Sequence, residues 1–578
     1  MPYAAPVREM SFCLSNVIGL DKLAATARYA HADAETVQAI LGEAAKLADE
    51  VFAPLRRNGD LHPAVLENGV VRTSPGFKEA YAQFVEGGWA GVTAQEDSGG
   101  MGLPIAVGTC VNEMMAGANL ALSLCPLLSA GQIEALEHHA SDELKAIYLP
   151  KLTSGEWNGT MNLTEPGAGS DVGALRSKAE RNDDGTYAIS GQKIYISWGD
   201  NDITGNVVHL VLARLPDGKP GTKGISLFVV PKYIPDADGN PGEANSLRVV
   251  SLEHKMGLHG SPTCVMEFDG AKGWLVGEEH DGMAAMFTMM NNARLGVGAE
   301  GVAVAEAAMQ HALAYAQERK QGRTPVGDGN GTIADHADVK RMLMTMRTLT
   351  DASRAVALDC AFSLDMAVAA EDEAERKAHK ARAAFLTPIA KAFGTDVGCE
   401  VSDLGVQVHG GMGYVEETGA AQFFRDVRVT AIYEGTNGIQ SMDLAARKMM
   451  DGGAAARALL AEIEATAKAL EGTSLDDLAM PLRTAAGQVA AATEALLAQE
   501  LNDRFAGAVP FLRLWALGLG AHYHAKGALA AAGGHEGETR AALARFFAAT
   551  QLPLIPGLAA QAGMGAAPLY ALPAEALA

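Results

Sequence analysis

The sequence predicts a mainly α chain with a central β domain and an extra C-terminal helical bundle. Three observations carry that reading. Segments rich in Ala, Leu and Glu with helical spacing fill the first part, as in ADAETVQAILGEAAKLADEVFAPL. From about 156 to 282 the texture changes to short β-rich runs, TYAIS, KIYIS, NVVHLVLARL, GISLFVV and CVMEF, separated by NDDG, PDGKPG and DADGNPGEAN. Helical periodicity then returns and continues in Ala- and Leu-rich form past the DGGAAA stretch at 451–456.

In order, residues 1–155 read as a helical domain that Pro and Gly punctuate without indicating strands. Residues 156–282 read as a compact β domain inserted in a helical chain. Residues 283–452, opening near ARLGVGAEGVAVAEAAMQHALAYAQERK, read as a helical bundle, and 453–578 as a second one. The 578 residues, 48% hydrophobic and 20% charged, have the balance of a globular protein with several cores. A formal charge of -23 repels nucleic acid and anionic membrane. Cys13, Cys110, Cys125, Cys264, Cys360 and Cys399 show neither paired nor zinc-type spacing, which points to a reducing compartment. The start, MPYAAPVREMSFCLSNVIGL, lacks the layout of a secretory or transit peptide, and no uninterrupted apolar run reaches about 18 residues, so a cytoplasmic location is expected.

Three segments carry chemistry. MNLTEPGAGSDVGAL, residues 161–175, offers accessible backbone N–H groups around Thr164, Gly167, Gly169 and Ser170, which suit a phosphate or a flavin edge as well as a plain turn. VQVHGGMGYVEE, residues 406–417, places Gly410, Gly411 and Gly413 after a helical run. No strand precedes it, so a nicotinamide-binding βαβ unit is excluded. In AIYEGTNGIQ, residues 431–440, Glu434 stands outside a helix that Asn437 and Gln440 open with capping-box spacing, the helix running through GIQSMDLAARKMM. The apolar lead-in Thr430-Ala431-Ile432-Tyr433 argues for burial, which raises a carboxylate's pKa toward the range of a proton-abstracting base; a solvated acid at a helix start is the plainer alternative. Arg294 and Arg319 bracket a nearly uncharged helical run and are candidates for pairing with phosphate. No metal-ligand spacing or serine-nucleophile motif is present.

In combination these segments resemble the acyl-CoA dehydrogenase family from about 30 to 450, LTEPGAGSD and QVHGGMGYVEE matching its two signatures and AIYEGTNGIQ its base segment. The resemblance implies a FAD enzyme in which Glu434 removes the α-proton of an acyl-CoA while the β-hydrogen leaves as hydride to flavin N5, giving a trans-2-enoyl-CoA. It implies that Leu163, Thr164, Gly169 and Ser170 line the flavin and its pyrophosphate, and that Tyr195, Ile196 and Ser197 cover the ring. Arg319, Gln407, Gly410 and Gly411 would reach the FAD of a neighbouring subunit, with Tyr433 and Thr436 flanking base and cofactor. Ser170, Arg294, Tyr433 and Gly435 would meet substrate. It further implies a fold of helical, β-barrel-like and helical-bundle domains, an electron-transfer flavoprotein as acceptor and a homo-oligomer, at least a dimer.

The chain departs from the family pattern at Tyr195, where Trp is common, at Gln422, where Lys or Arg is expected, and at QGR with the following TPVGDGNGTIADH. The length, APVREMSFCL, and EHKMGLHGSPTCVMEFDGAKGWLVGEE are similar to a bacterial branch that includes 3-methylmercaptopropionyl-CoA dehydrogenases of dimethylsulfoniopropionate breakdown. Medium- or long-chain acyl-CoA oxidation is the alternative substrate reading, and an oxygen-using oxidase the alternative chemistry. A DNA-binding relative needs a basic tail, whereas residues 453–578 hold 8 Lys plus Arg against 11 Asp plus Glu. A membrane or partner module would use PFLRLWALGLG, residues 510–520, as its apolar face, unless that face packs on the rest of the chain.

Overall fold

The structure is a computed structural model and describes residues 3–531 and 533–578. The chain forms two compact units, one from residues 46–103 and 118–293, the other from 1–45, 104–117 and 294–578. Helices of eight or more residues are numbered here. α1 (Ala34–Leu47) and α2 (Phe77–Glu86) precede α3 (Ile105–His139), which is interrupted at Asn119 (φ -157°), and α4 (Asp142–Thr153).

The first unit is built around a seven-stranded sheet of β3 (Trp157–Asn162), β4 (Lys178–Arg181), β5 (Tyr187–Ser197), β6 (Asn206–Arg214), β7 (Ile225–Pro231), β10 (Leu247–Leu252) and β11 (Thr263–Val276). Strand β7 pairs with both β6 and β11, so β11, β5, β4, β6 and β7 close a ring, and the predicted barrel-like domain is present. Its logic is the two-residue alternation of a strand. In β6, Val208, Leu210 and Leu212 join one apolar cluster with α4 residues such as Leu149, while Val211 and Ala213 join a second with Phe228 and Met266. Both faces of β6 and β7 are covered, which is why NVVHLVLARL and GISLFVV read as unbroken apolar runs.

Two expectations are corrected in this unit. TYAIS and KIYIS belong to one strand, β5, whose long partner β11 carries two register shifts that absorb its bend. The N-terminal region does contain strands: β1 (Val65–Glu67) pairs antiparallel with β2 (Val70–Arg72) around Asn68 and Gly69, both at positive φ (51° and 79°). An Asn-Gly pair between apolar residues is the sequence sign of such a hairpin. A second small hairpin joins β8 (Tyr233–Pro235) and β9 (Pro241–Ala244).

The other unit is helical: the greater part of α5 (Gly282–Glu318), then α6 (Ala337–Ala369), α7 (Glu373–His409), α8 (Ala420–Val427), α9 (Asn437–Ala445), α10 (Ala454–Leu470), α11 (Ala479–Leu497), α12 (Ala508–Ala530), α13 (Gly534–Thr550) and α14 (Ile555–Ala562). Helices α5 and α7 meet through glycine: a Cβ at Gly298 would stand 2.6 Å from the Ala390 carbonyl oxygen, and one at Gly301 would overlap the Gly394 carbonyl group. A buried ion cluster ties α3, α5 and α6 together, with Arg354 Nη2 2.7 Å from both Glu113 and Glu306.

Helix α12 runs through the C-terminal bundle, and the apolar face of PFLRLWALGLG is covered. Trp515 is fully buried, donates from Nε1 to Thr493 Oγ1 at 3.1 Å, and meets the Phe385 ring edge-on at 4.9 Å. Among the described residues, two helical stretches, Ile105–His139 and Gly534–Ala562, have the length and hydropathy of a membrane span despite the absence of long uninterrupted apolar runs. The apolar window of the first is 94% buried inside the fold and that of the second 28%.

The glycine contact gives a direct test. Gly301→Val forces a side chain into the α7 backbone and is expected to cost about 1–3 kcal/mol, read as a lowered thermal midpoint; an unchanged midpoint would show that the helices do not rely on this approach.

Candidate active site

The base segment is set by local backbone chemistry in the helical unit. A 3-10 turn, Arg428–Ala431, leads to Tyr433, whose N–H donates to the Val429 carbonyl at 3.1 Å. Glu434 then takes φ 54° and Gly435 φ 83°. A left-handed conformation is routine for glycine but disfavoured for glutamate, so neighbours must hold it there. Downstream, Gln440 Nε2 donates to the Glu434 carbonyl at 3.2 Å, and a Cβ at Gly435 would stand 2.8 Å from the same nitrogen.

The helix cap lies one residue earlier than its spacing predicts. Thr436 is the N-cap of α9, its Oγ1 accepting from the Ile439 N–H at 3.2 Å, and α9 ends at Ala445, short of the predicted GIQSMDLAARKMM. Asn437 is recruited elsewhere: its Oδ1 accepts from Lys391 Nζ at 2.9 Å and its Nδ2 donates to Asp396 Oδ1 at 2.6 Å, pinning α9 to α7.

Glu434 is partly buried, and the loss of water around its carboxyl raises its pKa even though Arg294 and Lys391 pull it down. Arg294 is 6% exposed, its Nε has no hydrogen-bond partner among the described residues, and burial lowers its pKa against the pull of Asp443 and Glu434. Lys391 is fully buried, and burial pushes it down to about 8 against Glu434, Asp396 and Glu300. Tyr433 donates its hydroxyl proton to Glu300, a second buried carboxyl. The structure thus gathers Arg294, Tyr433, Glu434, Gly435 and Thr436. A carboxyl on a left-handed backbone, with its pKa raised by burial and two cations facing it, is an arrangement suited to a general base.

The loop after β3 is shaped by an ion pair that sequence reading left without a role. Lys193 Nζ, fully buried on β5, lies 2.8 Å from Glu165 Oε1 and donates to the Leu163 carbonyl at 3.1 Å. Burial works to raise the Glu165 pKa, but Lys193, Ser177 and the Arg176 N–H hold the carboxyl below its usual range; burial takes Lys193 down to about 8. The Ile194 N–H donates to the Thr164 carbonyl at 2.9 Å, joining the loop to β5. Tyr195, at φ 60°, is 61% exposed, whereas the Ile196 side chain lies in the barrel core with Met266 and Phe268, so of this pair only Tyr195 presents its ring outward.

This unit fits a flavin. A Cβ added at Gly167 or Gly169 meets no atom within 4 Å, Ser170 is exposed, and the open backbone and hydroxyl lie on the loop tied to the strand that presents the Tyr195 ring. In the helical unit, Arg319, Gln407, Gly410 and Gly411 are all exposed at the ends of α5 and α7. The rings of Tyr315 and His409 stack at 4.5 Å and bring those helix ends together.

Lys391, Glu300 and the Glu165–Lys193 pair were missed by sequence reading. Their one signal is a lone charge in an apolar run: LTPIAKAF, LGVGAEGVAV and the alternating strand around Lys193.

Fold and site together define a helical and β-barrel protein with a carboxyl whose pKa burial raises and a loop that fits a flavin. Family models for the acyl-CoA dehydrogenase N-terminal, middle and C-terminal domains match residues 34–156, 160–271 and 280–449, and one for an acetyl-CoA dehydrogenase C-terminal-like domain matches 459–573. The chain belongs to the acyl-CoA dehydrogenase family and is an oxidoreductase acting on acyl-CoA, in a family that uses a flavin. It is 46% identical over 536 residues, 90% of this chain and 91% of the relative, to 3-methylmercaptopropionyl-CoA dehydrogenase of Ruegeria pomeroyi. Its identity to the broad-specificity linear acyl-CoA dehydrogenase FadE5 of Mycobacterium tuberculosis is 37%, over 78% of this chain and 75% of that one. Caenorhabditis elegans ACDH-11, solved in complex with C11-CoA, shares the fold with a TM-score of 0.78 at 19% identity, covering 95% of this chain and 92% of that one.

Breaking the loop's ion pair tests its structural part. Lys193→Met leaves the Glu165 carboxylate buried without its cation and is expected to cost about 3 kcal/mol in unfolding free energy; a variant as stable as wild type would show that the pair does not hold the loop.

Proposed function

We propose that this chain dehydrogenates 3-methylthiopropanoyl-CoA to 3-methylthioacryloyl-CoA, with Glu434 as the catalytic base and FAD as the cofactor. The observation that carries the chemistry is the Glu434 carboxyl, left-handed in backbone, with burial raising its pKa and Arg294 and Lys391 as counter-charges. The similarity to the Ruegeria enzyme over nine-tenths of the chain supports the substrate. Similarity to FadE5, a broad-specificity linear acyl-CoA dehydrogenase, favours medium- or long-chain acyl-CoA as the second reading.

Glu434 takes the α-proton of the thioester. A raised pKa matches the base better to that weakly acidic carbon than an ordinary exposed carboxylate would. Charge then develops on the thioester oxygen, and the Glu434 backbone N–H is the donor this chain supplies for it. Arg294, Tyr433 and Gly435 border the acyl-CoA, together with Ser170. Leu163, Thr164, Gly169, Ser170, Tyr195, Ile196 and Ser197 would hold FAD, as would Tyr433 and Thr436; the Ile196 side chain lies in the barrel core, which leaves its backbone for that role. Bound FAD supplies the acceptor for the β-hydrogen as hydride.

Arg319, Gln407, Gly410 and Gly411 would hold the FAD of a second copy, and that role requires a homo-oligomer of at least two chains. An electron-transfer flavoprotein is its electron acceptor, and the enzyme works in the cytoplasm. The division into 1–155, 156–282, 283–452 and 453–578 is the domain plan we assign to it.

Anaerobic mixing with 3-methylthiopropanoyl-, butanoyl-, octanoyl- and palmitoyl-CoA tests both parts. Flavin bleaching is expected to be fastest with 3-methylthiopropanoyl-CoA, and a faster octanoyl or palmitoyl reaction transfers the assignment to the second reading. Glu434→Gln should keep FAD and ligand binding while bleaching slows by at least about 1000-fold; near wild-type bleaching removes Glu434 as the base.

A further inference from the structure

A second carboxyl is buried beside the base. Glu300 lies on α5 between Gly298 and Gly301, the two glycines that admit α7, and is only 3% exposed. Its Oε2 accepts a hydrogen bond from the Tyr433 hydroxyl, and its Oε1 has no hydrogen-bond partner among the described residues. Three groups face it from the elements packed around it: Tyr433 and Glu434 on the base segment and Lys391 on α7. Burial pushes Glu300 up to about 8; the Tyr433 hydrogen bond and the Lys391 charge oppose that shift, and the Glu434 charge adds to it.

Tyr433 immediately precedes a glutamate at φ 54°, a conformation that persists only when flanking contacts over-determine it. After Glu434, the chain is held by Gln440 and by the Thr436 cap. Before it, the holds are the Tyr433 N–H bond to Val429 and the hydroxyl bond to Glu300, which is the one that reaches out of the segment to another helix. We propose that Glu300 is a positioning residue for proton abstraction: it anchors the Tyr433 ring and thereby sets the angle at which Glu434 presents its carboxylate and backbone N–H. The inference rests on Glu434 being the base. An uncharged Glu300 suits the role, because it grips Tyr433 without placing a second negative charge beside Glu434.

The test is anaerobic flavin bleaching by the FAD-loaded enzyme at pH 7 with 3-methylthiopropanoyl-CoA and butanoyl-CoA. Glu300→Leu should slow bleaching by about 10- to 100-fold, the size of effect expected of a small misplacement, with FAD content and the acyl-CoA dissociation constant unchanged. Glu300→Gln, which keeps an oxygen for Tyr433, should recover most of the rate. Tyr433→Phe should match Glu300→Leu, and the double variant should be no slower than either single one, since both break the same bond.

A wild-type rate in Glu300→Leu, or losses that multiply in the double variant, overturns the inference. If Glu300→Leu does not fold, Tyr433→Phe decides: slowing of about 10-fold supports the anchor and a wild-type rate overturns it. Glu434→Gln run alongside separates the two levels. Bleaching that survives there removes the base assignment, whereas bleaching lost there but intact in Glu300→Leu and Tyr433→Phe removes only the role of Glu300.

Discussion

The constraint on which the site depends is the placement of one carboxylate, Glu434, where burial withdraws water from it and two cations face it. Two cations, Arg294 and Lys391, lower the cost of keeping it ionised, and burial raises its pKa all the same. Those cations are themselves costly to bury: both have depressed pKa values for the same reason. Mutual dependence of this kind is what makes a buried polar cluster specific, because removing one member strands the others.

Such a cluster needs rigid supports, and the helical unit supplies them by close approach. Gly298 and Gly301 on α5 lie against Ala390 and Gly394 on α7, so the helices carrying Glu300 and Lys391 pack almost backbone to backbone. Asn437 then locks the first turn of α9 to α7 through Lys391 and Asp396. The Arg354 cluster with Glu113 and Glu306 fixes α5 against α3 and α6 farther along. On the barrel unit the Glu165–Lys193 pair performs the equivalent task for the loop that fits the flavin, holding Leu163 and Thr164 against β5.

What the sequence made legible was local. Helical spacing, the β-rich middle and the three motif segments depend on near neighbours, and each was readable from a dozen residues. The position of Glu434 outside its helix was readable for the same reason. The exact cap was not, because Asn437 is drawn away by α7 residues more than 40 positions earlier. Glu300 reaches Tyr433 across 133 positions, and Lys193 reaches Glu165 across 28, so neither partnership leaves a periodic trace. Fusion of TYAIS and KIYIS into one strand was hidden by Ser190-Gly191-Gln192, which reads as a turn but pairs with β11. The β1–β2 hairpin was legible in principle from Asn68-Gly69.

The central claim is that the base is a carboxylate made more basic by its surroundings. Infrared difference titration of the FAD-loaded enzyme, wild type minus Glu434→Gln, isolates the carboxylate band of that one residue. The account predicts a midpoint above the ordinary glutamate value of about 4.3. A midpoint at or below that value would contradict it.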